Sequence, residues 1–269
     1  MRPLDEMPEA DAERVRLVLT DIDDTLTHEG RLPAEAYRAV EDLHNAGFIV
    51  APITGRPAGW CDMIARFWPI SGVVGENGAM YFAYDTTLRK MRRVYAASPE
   101  TRVANRTRLD AICARVLAEV PGAAVSADQA YREADLAIDF CEDVPALDVA
   151  AIDRIKQIFE EEGAVAKVSS IHVNGWFGQY DKLSMTRRFA REVAGVDIDK
   201  DNDRVAFVGD SPNDAPMFGF FRNSVGVAGV HQFVGRIDAE PTYVTVGGGG
   251  RGFVEVAERL LAAARRRAA

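Results

Sequence analysis

The chain has 269 residues, of which 48% are hydrophobic and 27% are charged, and its formal net charge is −9. This length and composition are typical of a folded protein with one large domain or two modest ones, and they argue against a disordered chain. The acidic balance argues against nucleic acid or an anionic membrane as the main partner. It still permits an anionic small substrate, because a divalent cation reverses the local field.

Cysteine content and the N-terminal segment indicate the compartment. The three cysteines, Cys61, Cys113 and Cys141, are odd in number and lack the spacing of metal ligands, so we expect reduced thiols in packed surroundings. The first 13 residues lack the apolar segment of a signal peptide, and no apolar run approaches the length of a membrane span. We therefore expect a cytoplasmic protein without a membrane partner.

Strand-like apolar runs alternate with amphipathic helical segments at the start of the chain. The pattern predicts a strand at 15–20, a helix at 33–45, a second strand at 48–53 and a further helix and strand within 57–74. This alternation is typical of an α/β fold with a mostly parallel sheet.

The periodicity changes after Phe82. The predicted elements of this middle part are a charged strand at 86–94, a helix at 99–120, a strand at 130–140, a helix at 146–162 and one or two strands in 164–173. Few strands and two helices fit a separate α+β layer.

The α/β rhythm resumes from Ser184. It continues with a helix, a strand at 204–208, a short helix, a strand at 224–227 and a terminal helix at 253–266. We therefore predict a Rossmann-like parallel-sheet core with helices on both faces, plus an inserted α+β cap domain. The core is assigned to residues 1–83 and 179–269, and the cap domain to residues 84–178.

Two acids follow the first predicted strand. Asp21 and Asp23 lie two residues apart in a turn, at the sheet edge where open α/β sheets bind their ligands. One carboxylate can act as a nucleophile while the other transfers a proton, which requires two acids held close together. The alternative is a solvated acidic turn or a helix N-cap.

A second acidic turn follows the predicted strand at 204–208. Asp210 and Asp214 are placed to complete an oxygen-rich set with Asp21, and such a set suits Mg²⁺. Repulsion among these carboxylates would be costly without a cation. The alternative is an ordinary capped loop.

Two further residues complete a candidate phosphate site. Thr54 follows the second strand and precedes a helix, so its hydroxyl and the neighbouring backbone N–H groups can bind phosphoryl oxygens. Lys182 opens the helix after the insertion, where its charge can offset that of a phosphoryl group and of Asp21. Taken alone, Thr54 is also explained as a helix N-cap, and Lys182 is also explained as a surface lysine.

The order of these motifs resembles the haloacid dehalogenase superfamily of phosphatases. It is similar to the branch with the cap inserted between the second and third motifs, which includes the Cof-type sugar phosphatases and the mannosyl-3-phosphoglycerate phosphatases. The resemblance covers roughly 15–83 and 179–260, and its matching segments are Asp21–Thr25, Thr54–Arg56, Gly75–Ala79, Lys182 and Gly209–Asp214.

The resemblance implies a role for each acid. Asp21 attacks phosphorus and becomes an aspartyl phosphate, and Asp23 protonates the leaving oxygen and then activates water. Mg²⁺ is held by Asp21, by the backbone carbonyl of Asp23 and by Asp210, with Asp214 close to the ion or acting through water.

The resemblance also implies the residues that bind the phosphoryl group. These are Thr54, Gly55, Arg56 and Lys182, and Asn213 supports Lys182 or the adjacent acid. The implied activity is hydrolysis of a small phosphate monoester on a sugar or sugar acid, by a monomer or homodimer. The implied partner is a small phosphorylated metabolite.

Polar residues at the end of the insertion are candidates for substrate contact. His172, Asn174 and Trp176 lie just before Lys182, and on a strand facing the core they could contact a substrate; Tyr131 and Arg132 are weaker candidates. The alternative is an ordinary cap strand with one polar face.

Two other functions remain open. A phosphosugar mutase would share the fold and nucleophile but would retain the phosphoryl group. A non-catalytic binding protein predicts loss of Asp21, Asp23, Lys182 or Asp210, and all four are present.

Overall fold

In the computed structural model, which describes residues 1–268, strands and helices alternate through most of the chain. The strands of this part of the chain are β1 (Arg2–Pro3), β2 (Leu17–Thr20), β3 (Ile49–Pro52), β4 (Val73–Gly75), β5 (Met80–Asp85), β6 (Lys90–Tyr95), β7 (Ala124–Val125), β8 (Leu136–Asp139), β9 (Val165–Val168), β10 (His172–Trp176), β11 (Val205–Gly209), β12 (Asn223–Gly226) and β13 (Tyr243–Val244). The α-helices are α1 (Glu9–Arg14), α2 (Ala34–Asn45), α3 (Ala58–Phe67), α4 (Pro99–Glu119), α5 (Val149–Glu161), α6 (Lys182–Phe189), α7 (Ala215–Phe220) and α8 (Gly249–Ala268).

The core is a six-stranded sheet in the order β1-β13-β12-β11-β2-β3, and its strands pair in parallel. Side chains alternate between its two faces. Val18 and Val208 belong to the hydrophobic cluster that includes residues of α2, α3 and α8. Leu19 and Phe207 belong to the cluster that includes residues of α6 and α7. The predicted Rossmann-like core with helices on both faces is confirmed.

A three-stranded antiparallel sheet, β4-β5-β6, adjoins the core through the bridge between Ile53 and Val74. The charged strand predicted at 86–94 is shorter than expected, because residues 86–89 form the turn of a hairpin. Asp85 causes this break, since its Oδ1 accepts hydrogen bonds from the backbone N–H groups of Thr87 and Leu88.

The inserted cap has its own sheet and its own core. Its antiparallel strands run in the order β7-β8-β10-β9, and α4 and α5 cover the sheet through a cluster that includes Leu109, Ile138, Phe159 and Val173. The predicted α+β cap is confirmed. Its assigned boundaries, 84–178, stay a prediction.

Two details of the cap differ from the sequence expectation. The strand predicted at 130–140 is reduced to β8, because the N–H groups of residues 133–135 donate to Glu76 instead of to a neighbouring strand. The segment predicted as one or two strands at 164–173 is the hairpin of β9 and β10.

The C-terminal helix α8 begins at Gly249, four residues before the predicted start. Within residues 1–268, no helix combines the length and the apolar character needed to cross a membrane.

Candidate active site

The carboxyl ends of β2, β3 and β11 meet at one edge of the core sheet. Asp21 follows β2, and its backbone N–H donates to the carbonyl oxygen of Val208 at 2.9 Å. The turn after it is closed by hydrogen bonds from the backbone N–H groups of residues 25–27 to the carbonyl of Ile22. This turn brings Asp21 and Asp23 to the edge where a doubly wound sheet binds its ligand.

Lys182 joins two acids of this edge. Its Nζ donates to Oδ1 of Asp21 and to Oδ1 of Asp214, each at 2.8 Å. All three residues are at most 4% exposed, so these ion pairs lie in a low-dielectric environment. Although burial opposes it, the two carboxylates raise the pKa of Lys182, which therefore stays protonated.

The position of Lys182 is set by the start of α6. Asp181 caps the helix by accepting a hydrogen bond from Ser184 N–H at 2.7 Å. Gly78, with φ of 103°, packs directly against this cap, where a Cβ would lie 2.0 Å from the Asp181 carbonyl oxygen. Only glycine fits there, which explains the second glycine of the Gly75–Ala79 segment.

Asp21, Asp210 and Asp214 form a buried acidic cluster in which one carboxylate oxygen from each residue lies within 4.8 Å of the other two. Thr25 Oγ1 donates to Asp210 Oδ1 at 3.1 Å, and the Asp210 N–H donates to Asp214 Oδ2 at 3.1 Å. The side chain of Asp23 lies outside this set.

The pKa values of the clustered carboxylates indicate whether the cluster fits a cation. Burial raises the pKa of Asp21 to about 7, aided by Asp214 and Asp23 and opposed by Lys182. Burial, followed by repulsion from Asp214 and Asp21, raises the pKa of Asp210 well above its usual value. Three buried carboxylates around one lysine are therefore poorly compensated. An oxygen-only donor set with excess negative charge fits a hard divalent cation.

Arg56 binds Asp23 with two nitrogens. Its Nε lies 3.0 Å from both carboxylate oxygens, and its Nη2 donates to Oδ1 at 2.8 Å. The same Nη2 donates to Oε1 of Glu142, a cap residue, at 2.8 Å. Arg56 is 6% exposed and stacks on the ring of Trp60 at 4.4 Å. The sequence predicts Arg56 as a substrate-binding residue, and the structure adds that it links Asp23 to the cap.

The loop after β3 is fixed by hydrogen bonds within it and from residues on both sides of it. Thr54 is buried, and its Oγ1 accepts a hydrogen bond from the Arg56 N–H at 3.0 Å. Asn77 N–H donates to the Thr54 carbonyl at 3.1 Å, and Arg132 Nη1 donates to the Gly55 carbonyl at 2.9 Å. The loop is thus held from both the core and the cap.

A central cavity of about 20 Å³ lies between the core loops and the cap. Of the predicted site residues, Thr54, Lys182, Asp210, Asp214 and Trp176 are not in its lining. The residues that line the central cavity are Asp21, Asp23, Gly55, Arg56, Arg132, Ser169, Ser170, Ile171, His172, Asn174, Ser211 and Asn213.

The cap candidates occupy different positions. His172 and Asn174 line the central cavity, and both are buried. Trp176 is 1% exposed, stacks on Tyr180 with 5.5 Å between ring centroids, and donates from Nε1 to the Tyr180 carbonyl. Tyr131 is 59% exposed. The predicted substrate contacts of His172 and Trp176 stay predictions, and this placement favours His172.

Asn213 also differs in its contacts from the expectation. It lines the central cavity and accepts a hydrogen bond from Ser211 Oγ at 2.7 Å, whereas it was expected to support Lys182 or Asp214.

Glu76 was missed by sequence reasoning. It is fully buried and accepts hydrogen bonds from the N–H groups of Ala58, Glu133, Ala134 and Asp135, which joins the core to the cap. Burial and the nearby Asp135 raise its pKa to about 7, against the backbone donors that favour the ionised form. The only sequence signal was its place in the Gly75–Ala79 segment.

Arg132 forms the second link between core and cap. Besides the Gly55 carbonyl, it binds Asp128 through Nε at 2.9 Å and Asp135 through Nη1 at 3.1 Å. Asn174 Nδ2 donates to the same Asp135 at 2.9 Å. These contacts hold a polar cap wall against the Thr54–Arg56 loop.

Glu142 was the other omission. It lies 86 residues from Arg56, and an acidic turn after a strand is most often solvated, so no pattern in the sequence identified it. Its Oε2 lies 2.9 Å from Nε2 of His172. The pKa of Glu142 is lowered to about 2, first by His172 and then by Arg56.

Comparison with known proteins places the fold. No protein-family model matches the chain. No curated protein matches it either. Solved structures do match over nearly the full chain. The C-terminal domain of trehalose-6-phosphate phosphatase from C. albicans has a TM-score of 0.69 at 13% identity, covering 97% of this chain and 98% of that one.

Two further structures are similar. Sucrose-phosphatase from Synechocystis sp. PCC6803, solved with sucrose and phosphate, has a TM-score of 0.62 at 13% identity and covers 91% of this chain and 97% of its own. A haloacid dehalogenase-like hydrolase from Bacteroides thetaiotaomicron has a TM-score of 0.62 at 14% identity, with coverage of 91% and 99%. The chain therefore has the fold of the haloacid dehalogenase-like hydrolases, with an α+β cap inserted into the α/β core.

Proposed function

We propose that the protein is a Mg²⁺-dependent phosphatase that hydrolyses a small phosphate monoester through an aspartyl phosphate on Asp21. The observation that carries this proposal is the buried cluster in which Lys182 binds both Asp21 and Asp214 while Asp210 lies beside them. A nucleophilic carboxylate, a cation site and a fixed positive charge are the parts that phosphoryl transfer requires.

The acidic cluster provides the metal site in this proposal. Asp21, Asp210 and Asp214 would hold Mg²⁺, together with the backbone carbonyl of Asp23. When bound, Mg²⁺ neutralises the carboxylates and polarises the phosphoryl group.

In the first step the Asp21 carboxylate attacks phosphorus. The ester P–O bond breaks as the Asp21–phosphorus bond forms, and the electron pair leaves on the ester oxygen. Asp23 gives this oxygen its proton. Lys182 aims Asp21 and offsets the negative charge that gathers on the phosphoryl oxygens. Gly55 and Arg56, which line the central cavity, would bind the same group together with Thr54.

In the second step water attacks the aspartyl phosphate. Asp23, now a carboxylate, takes a proton from the water, and the bond between phosphorus and the Asp21 oxygen breaks. Inorganic phosphate and the free Asp21 carboxylate are the products.

The cap is the part that selects the leaving group in this proposal. Residues of β10 and its preceding loop line the central cavity, so a substrate attached at Asp21 would extend toward His172 and Asn174. We propose a sugar phosphate or sugar-acid phosphate as substrate. The structural likeness to a trehalose-6-phosphate phosphatase and a sucrose-phosphatase supports this class.

The test is release of inorganic phosphate from a panel of phosphorylated sugars and sugar acids in the presence of Mg²⁺. Asp21→Asn should lower turnover by about 10⁴-fold or more, because the near-isosteric amide is a poor nucleophile. The matched control is Asp153→Asn on the exposed side of α5, which should keep wild-type turnover.

Circular dichroism of both variants should match the wild type. Wild-type turnover by Asp21→Asn, or return of the phosphoryl group to another sugar position without phosphate release, would contradict a phosphatase with this nucleophile.

A further inference from the structure

The two arginines that line the central cavity are both committed to acids. Arg56 Nε and Nη2 lie 3.0 and 2.8 Å from oxygens of Asp23, and its Nη1 lies 3.5 Å from Asp128 Oδ2. The same Nη2 donates to Glu142 Oε1 at 2.8 Å. Each nitrogen of this guanidinium group therefore has a carboxylate oxygen within 3.5 Å.

Arg132, on the cap side of the cavity, is committed in the same way. Its Nε and Nη2 donate to Asp128 at 2.9 and 3.2 Å, and its Nη1 donates to Asp135 at 3.1 Å. In the proposed function Arg56 lies beside the phosphoryl group, which leaves Arg132 as the arginine that could meet the far end of a substrate. A carboxylate there would have to displace one of the acids that Arg132 already binds.

Acids outnumber bases in this network. The two guanidinium groups share four carboxylates, which belong to Asp23, Asp128, Asp135 and Glu142. Even a protonated His172, whose Nε2 lies 2.9 Å from Glu142 Oε2, would leave the network net negative. Charges interact strongly in a site of low dielectric constant, so this wall repels an anionic group.

A second cavity, of about 230 Å³, adjoins the central cavity and has the same charge. The two share Asp23, Arg56, Ser170 and Ile171 in their walls. Within residues 1–268, the charged residues that line the second cavity are Asp23, Asp24, Glu29, Glu142 and Arg56, which are four acids and one base. A leaving group that extends beyond the central cavity on this side therefore also meets excess negative charge.

The other polar side chains of the central cavity offer uncharged donors and acceptors. On the cap side, Asn174 donates from Nδ2 to an acid of the network, which leaves its amide oxygen as an acceptor. On the core side, Asn213 accepts from Ser211 through Oδ1, which leaves its Nδ2 as a donor. Ser169 and Ser170 add hydroxyl groups. Such a set fits sugar hydroxyls, each of which both donates and accepts.

We propose that the cap selects a substrate whose leaving group is a neutral polyol and rejects one whose leaving group carries a carboxylate. This inference rests on the proposed function and decides between the two substrate classes named there, in favour of the neutral sugar phosphate. Glu142 and Asp128 set the selection, because they occupy arginine nitrogens that a carboxylate would otherwise bind.

A competing role for these acids is to brace the closed cap, with a substrate carboxylate taking the place of one of them on binding. That role makes sugar acids good substrates, because one negative charge is exchanged for another at the same arginine. Selection by charge predicts the opposite order, because the carboxylate adds a further negative charge to a wall that already has an excess.

The experiment compares kcat/KM, measured as release of inorganic phosphate in the presence of Mg²⁺, within two matched pairs of esters. Sorbitol 6-phosphate is paired with 6-phosphogluconate, and glycerol 3-phosphate with 3-phosphoglycerate. In each pair a terminal CH₂OH group is replaced by a carboxylate. For the wild type we expect the neutral member to be preferred by about 10²-fold or more, because juxtaposed like charges are costly.

Variants of the two acids test whether they set this preference. Glu142→Gln keeps the shape of the side chain, removes one negative charge and releases Arg56 Nη2 from that acid, so the preference should fall by about tenfold. Asp128→Asn should lower it in the same direction. Glu142→Asp keeps the charge and should keep the wild-type preference. The control is Glu161→Gln, a cap residue that pairs with Arg154 on the exposed side of α5, which should change neither rate.

A wild-type protein that hydrolyses the acid members as well as the neutral ones, or better, would overturn the selection and leave the phosphatase proposal intact. An unchanged preference in both Glu142→Gln and Asp128→Asn would overturn the role given to these acids. Hydrolysis of p-nitrophenyl phosphate alone would overturn the selection of a polyol. Hydrolysis of none of these esters would overturn both proposals.

Discussion

The Nζ of Lys182 lies 2.8 Å from Oδ1 of Asp21, although 161 residues separate the two in the chain. The whole cap is inserted between them, so closure of this ion pair requires both halves of the core to be assembled. The pair therefore belongs to the fold and to the proposed chemistry at once.

Lys182→Met is expected to destabilise the metal-free protein by about 3–5 kcal/mol, because it leaves buried carboxylates without their partner. The measurement is urea unfolding in the presence of EDTA. Lys200→Met is the matched control, since Lys200 is exposed and pairs with Asp197 at the surface, where a pair contributes about 0–1 kcal/mol. Equal losses in the two variants would show that Lys182 is not held as described.

Mg²⁺ is expected to raise the thermal midpoint of the protein, because the cation relieves repulsion among Asp21, Asp210 and Asp214. A ligand at 100 times its Kd adds about 2.7 kcal/mol to the free energy of unfolding. Differential scanning fluorimetry over a Mg²⁺ titration measures the effect. Asp210→Asn should need far more Mg²⁺ for the same shift. A wild-type thermal midpoint that does not change with Mg²⁺ concentration would rule out the metal site.

EDTA should also abolish phosphate release, and added Mg²⁺ should restore it. Full turnover after exhaustive chelation would contradict the metal dependence independently of the stability measurement.

His172→Ala should reduce kcat/KM for the preferred sugar phosphate by about 10-fold, the equivalent of one lost hydrogen bond. Ethyl phosphate and p-nitrophenyl phosphate should both be spared, because small esters make few contacts with the cap. His44→Ala, on the exposed side of α2, is the control. Equal losses on all three esters would return His172 to a structural role.

Trp176→Ala is expected to act on stability. Its indole is buried and stacked on Tyr180, so truncation should cost about 3–5 kcal/mol. Phe67→Ala, an aromatic that is 75% exposed, should change the free energy of unfolding by less than about 0.5 kcal/mol. A stable Trp176→Ala protein with a selective loss on the sugar phosphate would instead support the predicted substrate contact.

Sequence reasoning predicted the fold class from local patterns. Buried parallel strands such as β2 and β11 are continuous apolar runs, and the acids Asp21 and Asp210 follow them directly. Such patterns span only a few residues, so they can be recognised in the sequence without knowledge of tertiary contacts. The roles assigned to these acids stay predictions.

The links between core and cap escaped prediction because each joins distant segments. The Glu76 carboxylate accepts hydrogen bonds from the N–H groups of residues 133–135, so these residues are not part of the strand that the local pattern predicts at 130–140. Glu142 is indistinguishable in sequence from a solvated turn until Arg56 is placed beside it. Tertiary pairing overrides local preference at such positions.

The volume of the central cavity has a kinetic consequence. About 20 Å³ is room for roughly one water molecule, so under the proposed function the cap would have to move to admit a phosphate ester beside Asp21. The apparent affinity at equilibrium would then equal the intrinsic affinity multiplied by the fraction of molecules in the open conformation. Under the proposed function, the contacts that Glu142 makes with Arg56 and that Arg132 makes with the Gly55 carbonyl would favour the closed conformation. Substitution of Glu142 or Arg132 would then change the apparent affinity while leaving Asp21, Thr54 and Lys182 as they are.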